Sequence, residues 1–224
     1  MKWLAALLFI GLAAAAFVLP QIPKAFEAED ASRFASGNKA RGEAVFWAGG
    51  CASCHAADGA TGDAKLVLAG GHALKTPFGT FVAPNISTHA SEGIGDWSAL
   101  DFASAMKRGI APGGHRYYPA FPYTQYARMS DIDVADLWAY MQTLPVDPTP
   151  SQPHDLPFPV NIRAGLALWQ LLHLDEAPVT AQSADPLIER GRYLVEGPAH
   201  CGACHTPRGV TGGLDHSRWL AGAP

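Results

Sequence analysis

The chain has 224 residues, a formal net charge of -4, 48% hydrophobic residues and 16% charged residues. That length allows one or two domains, and a slightly acidic chain without a basic stripe gives no nucleic-acid-binding signal. Glycine and proline, 23 and 18 in number, suit small loop-rich modules whose cores need apolar surface from a bound group.

Lys2 precedes a run from Trp3 to Leu19 that carries no charged or polar side chain. Seventeen such residues fall between the core of a secretion signal and a minimal membrane span. Ala14-Ala15-Ala16 offers a cleavage site, whereas the continuation through Phe17, Val18 and Leu19 suits a retained anchor. Residues 1–20 are expected to be one or the other, and either exports the rest of the chain. Residues 21–36 read as a linker. A first helix is predicted over Ala40–Ala48, ending at Gly49-Gly50 directly before Cys51-Ala-Ser-Cys54-His55.

The same pentapeptide pattern returns at Cys201-Gly-Ala-Cys204-His205, 150 residues on, and the two copies use all four cysteines. In each, the thiols can form thioether bonds to haem vinyl groups, and the adjoining imidazole can ligate the iron. A redox dithiol or a four-thiolate zinc site is the alternative for a bare Cys-x-x-Cys pair. The histidine after each second cysteine argues for haem, as do the similar lead-ins at Arg41-Gly42 and Arg190-Gly191. Two covalent haem c groups are therefore expected, with His55 and His205 as iron ligands. Export agrees with this, because covalent haem attachment follows translocation in bacteria.

Beyond the first motif, Gly70-Gly71, Pro77-Phe78-Gly79 and Pro84-Asn85-Ile86 rule out a regular helix, and a haem edge is expected to hold these loops. Ser98–Arg108 reads as a helix with Leu100, Phe102, Ala103 and Met106 on its apolar face. Ser130 is placed to cap a further helix with Val134, Leu137, Trp138 and Met141 as its stripe, stopped by Pro145. The first module is thus expected over residues 37–145. Six prolines in the fifteen residues from Pro145 to Pro159 read as an extended connector. Ile162–Leu174 is apolar enough for a helix that docks on another subunit or between modules. Residues 146–184 form this connector and docking helix, and residues 185–224 the start of a second module. Only 19 residues follow His205, so this second module reads as unfinished, completed by further chain or by another polypeptide.

A six-coordinate electron carrier needs a second axial ligand, usually methionine or histidine. Met106 and Met141 sit on apolar helical stripes and read as core. Met129 lies in a loop before a capped helix and is the expected ligand of the first haem, with His115 next and the loop histidines His72 and His89 behind it. For the second haem, His216 reads as a surface residue and no methionine follows His205, so its distal ligand is assigned to a segment outside this sequence, with an open, catalytic iron as the other reading. His154 and His173 receive no role.

Around these motifs the chain resembles the multihaem cytochrome c subunits of bacterial membrane-bound alcohol, gluconate, fructose and aldehyde dehydrogenases. The resemblance covers about residues 37–220. It rests on Cys51–His55, Thr76-Pro-Phe-Gly-Thr80, Pro84-Asn-Ile86, Gly93-Ile-Gly-Asp-Trp97, Tyr118-Pro-Ala-Phe-Pro-Tyr123 and Met129-Ser-Asp131. In the second half it rests on Gly191-Arg-Tyr-Leu194, Gly197-Pro-Ala-His-Cys201, Cys204-His-Thr-Pro-Arg208 and Gly213-Leu214. The fold it implies is mainly α: tandem class I-like cytochrome c modules with long haem-wrapping loops. It implies a subunit on the periplasmic side of the inner membrane, anchored directly or through partners. Such a subunit takes electrons from a quinone-, flavin- or molybdenum-dependent dehydrogenase and passes them to quinone, a soluble cytochrome or a terminal oxidase. Members commonly carry three haems, which leaves a third to a region beyond this sequence. Some relatives place methionine where this chain has Phe121; phenylalanine cannot coordinate iron, so Met129 stands. Asn85 and Trp97 are expected to contact or orient the first haem, and Arg208 either to neutralise a haem propionate or to be solvated. Electron relay without catalytic residues is the expected role. A dihaem peroxidase, a thiosulfate-oxidising cytochrome or a structural anchoring subunit are the alternatives.

Overall fold

The computed structural model describes residue 16 and residues 18–223. Most of the predicted leader or anchor lies outside the described residues. Among those that are described, no helix is long and apolar enough to cross a membrane.

The first half is a helical domain built on two helices that meet at a glycine. Helix α1 covers Ala31–Phe34 and α2 covers Lys39–Ala48, capped by the Asn38 side chain. The attachment helix α3, Cys51–His55, follows after a two-residue turn. Further along come α4 (Ala99–Arg108), α5 (Tyr123–Tyr126) and α6 (Asp131–Met141). The predicted cap is present, Ser130 accepting from the Asp133 N–H to open α6, and Ser98 opens α4 in a reciprocal pair with Asp101. α2 and α6 pack face to face, because a β-carbon at Gly42 would stand 1.9 Å from the Asp136 carbonyl oxygen. The approach is locked by Asp136, fully buried, which pairs with Arg41 at 2.6 Å. Phe46, Leu68, Phe102, Met106, Val134, Leu137 and Met141 fill the core between these helices.

The Gly/Pro region contains an element that the sequence reading left as loop. Strands β1 (Ala73–Thr76) and β2 (Gly79–Val82) form an antiparallel hairpin with Thr76 opposite Gly79. Both are four residues long and β1 is largely exposed, too little for a visible alternation of apolar side chains.

The proline-rich stretch is extended as predicted, yet it does not hang free between modules. Asp155 exchanges two backbone hydrogen bonds with Thr80, and His154 accepts from the Val82 N–H. Proline cannot complete a helix or a sheet ladder, so this strand-like strap binds by the few N–H groups and side chains it has. The strap leads into α7, Leu166–His173, a turn shorter than predicted because Arg163–Gly165 is wound as a 3-10 turn. α7 lies between the two motif-bearing halves. Its fully buried Gln170 donates to the Arg108 carbonyl and accepts from Arg116, while Trp169 Nε1 donates to the Thr211 carbonyl at 2.8 Å.

The second half consists of α8 (Pro186–Glu196), the second attachment helix α9 (Cys201–His205) and a closing loop. α8 is fastened to the start of α6: the Tyr193 hydroxyl donates to Asp133 at 2.6 Å and accepts from the Ser130 N–H at 3.0 Å.

Candidate haem sites

Gly50 begins α3 in the left-handed conformation, φ 61°, and its carbonyl accepts from the Ser53 N–H at 2.8 Å. The tight turn starts the helix at Cys51, so that Cys51, Cys54 and His55 fall at i, i+3 and i+4 on one face. All four cysteines are free thiols. Burial pushes the Cys51 thiol up to about 12; burial, and then the nearby Cys204, also raise Cys54. These surroundings are the opposite of those that make a reactive dithiol or a ready thiolate metal ligand, which need lowered values.

His55 is oriented from the other side. Its Nδ1 lies 2.8 Å from the Pro84 carbonyl oxygen, which can only accept, so the proton sits on Nδ1 and Nε2 is left bare for a metal. Burial lowers the His55 pKa, opposed in part by that carbonyl, and the ring stays neutral at pH 7. Pro84 is held by its neighbour. Asn85, 3% exposed, donates from Nδ2 to the Asp147 and Thr149 carbonyls at 2.9 and 2.8 Å and accepts from the Ser87 N–H. Its own N–H goes to Ser151. Asn85 therefore fixes the Pro84 carbonyl that holds the His55 ring, with its side-chain amide occupied by protein partners. Trp97 is half-buried against the main core.

Met129 is 2% exposed, among the core side chains at the end of α5. Its carbonyl accepts from Lys107 Nζ at 2.6 Å, and the same ammonium pairs with Asp131 at 2.8 Å. Lys107 is a buried anchor that the sequence reading missed. The available signal was a lysine continuing the apolar face of α4 one residue after Met106. Met106 and Met141 are core residues within helices, as expected. His115 is exposed on a turn, His72 pairs with Asp58, and His89 Nδ1 accepts from the Glu92 N–H.

The second motif repeats the backbone of the first. His200 begins α9 in the left-handed conformation and accepts from the Ala203 N–H at 2.8 Å, as Gly50 does from Ser53. The Gly222 N–H donates to the His205 carbonyl at 2.9 Å; the Gly70 N–H donates to that of His55 at 2.8 Å, each glycine closing a Leu-Ala-Gly sequence. The side chains differ. The His205 ring is exposed and has no counterpart of the Pro84 contact among the described residues. Arg208 donates to the Gly212 and Ala203 carbonyls at 2.7 and 3.0 Å, tying the closing loop to α9. His216 is exposed and stacks on Trp219, whose ring covers Gly202.

The fold brings the two motifs into contact. His200 Nε2 donates to the Gly49 carbonyl at 3.1 Å, and the Tyr126 hydroxyl reaches the same oxygen at 3.4 Å. The loop carrying Met129 joins this contact: Arg128 pairs with Glu196 at 2.9 Å, and the Met129 side chain lies beside Gly197. The first motif, with paired thiols on one helical face, a neutral imidazole with a bare Nε2 and a buried thioether in an apolar core, fits a covalently attached haem. In the second motif the free thiols and histidine suit the same attachment.

Residues 39–145 match the cytochrome c family. Over 189 residues the chain is 53% identical to a dihaem c-type cytochrome of Cereibacter sphaeroides, covering 84% of this chain and 64% of that one. It is 41% identical over 175 residues to a gluconate 2-dehydrogenase cytochrome c subunit of Pantoea cypripedii, covering 76% of this chain and 38% of the relative. To a fructose dehydrogenase cytochrome subunit of Gluconobacter japonicus it is 40% identical over 187 residues, covering 82% and 37%. The chain thus spans under two thirds of the first relative and little more than a third of the other two.

Proposed function

We propose that this cytochrome c-type chain, homologous to dihaem cytochromes associated with bacterial dehydrogenase complexes, relays electrons out of a partner dehydrogenase. The observation that carries this reading is the contact between the two attachment motifs, 150 residues apart in sequence and joined by a hydrogen bond from His200 to the Gly49 carbonyl. Attachment motifs held side by side are what passing electrons from one haem to the next requires.

Haem, when bound, supplies reversible one-electron chemistry at iron. Cys51 and Cys54 hold the first group, and Cys201 and Cys204 the second. His55, its ring fixed by Pro84 and Asn85, would offer Nε2 to the first iron, and His205 would serve the second. Met129, its backbone held by Lys107, would offer its thioether as a further ligand to the first iron. The apolar core around Phe46, Leu68 and Ile94 excludes water from this site. Residues 37–145 are the first cytochrome domain, 146–184 the strap and bridging helix, and 185–224 the segment that carries the second motif.

The donor is a quinone-, flavin- or molybdenum-dependent dehydrogenase and the acceptor is quinone, another cytochrome or an oxidase, on the periplasmic side of the inner membrane. The decisive experiment is to purify the native complex, add the dehydrogenase's substrate and follow haem absorbance. Reduction of the haems on the timescale of dehydrogenase turnover is the expected result. Haems that stay oxidised while the partner turns over, or rapid peroxide turnover by the isolated chain, would remove the relay reading.

A further inference from the structure

The residue before the first cysteine differs between two otherwise matching turns. Gly50 adopts φ 61° and His200 adopts φ 41°, and each carbonyl accepts from the N–H three residues on at 2.8 Å. The left-handed conformation costs any residue with a β-carbon free energy that glycine avoids. Glycine makes this turn at the first motif, so a histidine at the second is not required by the backbone. An outlier of this kind points to a task for the side chain.

The imidazole crosses to the other motif. Nε2 lies 3.1 Å from the Gly49 carbonyl oxygen, at the junction of α2 and α3, and an accepting carbonyl places the proton on Nε2. The Tyr126 ring stands edge-on to it at 5.5 Å, and the Tyr126 hydroxyl shares the same carbonyl. The ring is partly buried in this junction. His200 therefore connects the residue that starts one attachment helix to the residue two before the other.

We propose that His200 is a positioning residue that holds the second haem-attachment helix against the first and so fixes the separation across which electrons pass between them. This rests on the reading that both motifs carry haem. Electron exchange between two sites falls steeply with separation, so loosening this one contact acts on rate with no change of ligand at either iron.

The test uses His200→Gly, which keeps the left-handed turn and relieves its cost while removing the imidazole, and His200→Gln, which restores an N–H donor of similar reach. Haem content is read by intact mass, the iron-to-iron distance distribution by pulsed dipolar EPR, and internal electron exchange by redistribution after a one-electron pulse. H200G is expected to keep two haems and each haem's optical spectrum, to broaden the distance distribution and to slow redistribution severalfold. H200Q is expected to recover most of both. An H200G protein with two haems and unchanged distances and rate overturns the positioning role alone. A wild-type protein that carries a single haem overturns the two-site reading and this inference with it.

Discussion

His55 and His205 hold the same place in matching pentapeptides but stand in different surroundings. The sequence points to both as iron ligands through the cysteines beside them, an expectation that needs no fold. What orients His55 was not legible: Pro84 lies 29 residues away and acts through a backbone carbonyl, which every residue type possesses. Asn85 was singled out, and the structure supplies its physical role, a clamp on the strap at Asp147, Thr149 and Ser151. Asn85→Ala strands the Ser87 N–H and two carbonyls in a buried place, at a cost of about 1–3 kcal/mol; chemical denaturation of the haem-loaded protein checks this. Met129→Ala is expected to leave the haem attached through Cys51 and Cys54 while removing one axial ligand. The first haem then shifts to high spin and its potential falls by on the order of 0.1 V, within the roughly 0.8 V that axial ligands span. Optical titration reads both, and an unchanged low-spin spectrum would move the ligand assignment elsewhere.

Among the elements, the long helices were legible because period and caps agree: Ser98 and Ser130 open α4 and α6, and Gly109 closes α4 in the left-handed conformation. The hairpin and the strapped connector were not, since both depend on partners distant in sequence. The α4–α6 junction also sets a pH dependence. Burial pushes the Asp131 carboxyl up, but Lys107 and Arg33 outweigh it and hold the group below its ordinary value near 3.8. A carboxylate depressed in the folded state gives stability that is fully present above the unfolded value and is lost as pH falls through the folded one. Unfolding free energy measured across an acid series should decline as the pH drops below about 4, the unfolded carboxylate value. Asp131→Asn should be less stable at pH 7 and should flatten that decline. Equal slopes for the two proteins would assign the acid sensitivity to other carboxylates.

At the scale of the whole molecule, the two motifs were expected in tandem modules joined by a proline-rich connector and a docking helix, and the fold sets them side by side. For the helix at Ile162–Leu174 the sequence left docking on another subunit and docking between modules both open; in the fold Gln170 donates to the Arg108 carbonyl and Trp169 to that of Thr211. Nothing in a linear pattern tells that His200 will meet Gly49, because the signal is a histidine where the other motif has glycine, and its meaning depends on the contact. The account therefore stands on both pentapeptides holding haem through sulfur within one closely packed pair. Intact mass of the chain purified from a haem-maturing host, after acid–organic extraction, measures this most directly. The expected result is a polypeptide that keeps its pigment and carries the mass of two haems, falling to one when Cys201 and Cys204 are both replaced by serine. Pigment that extracts completely, or a mass equal to the bare polypeptide, would contradict it.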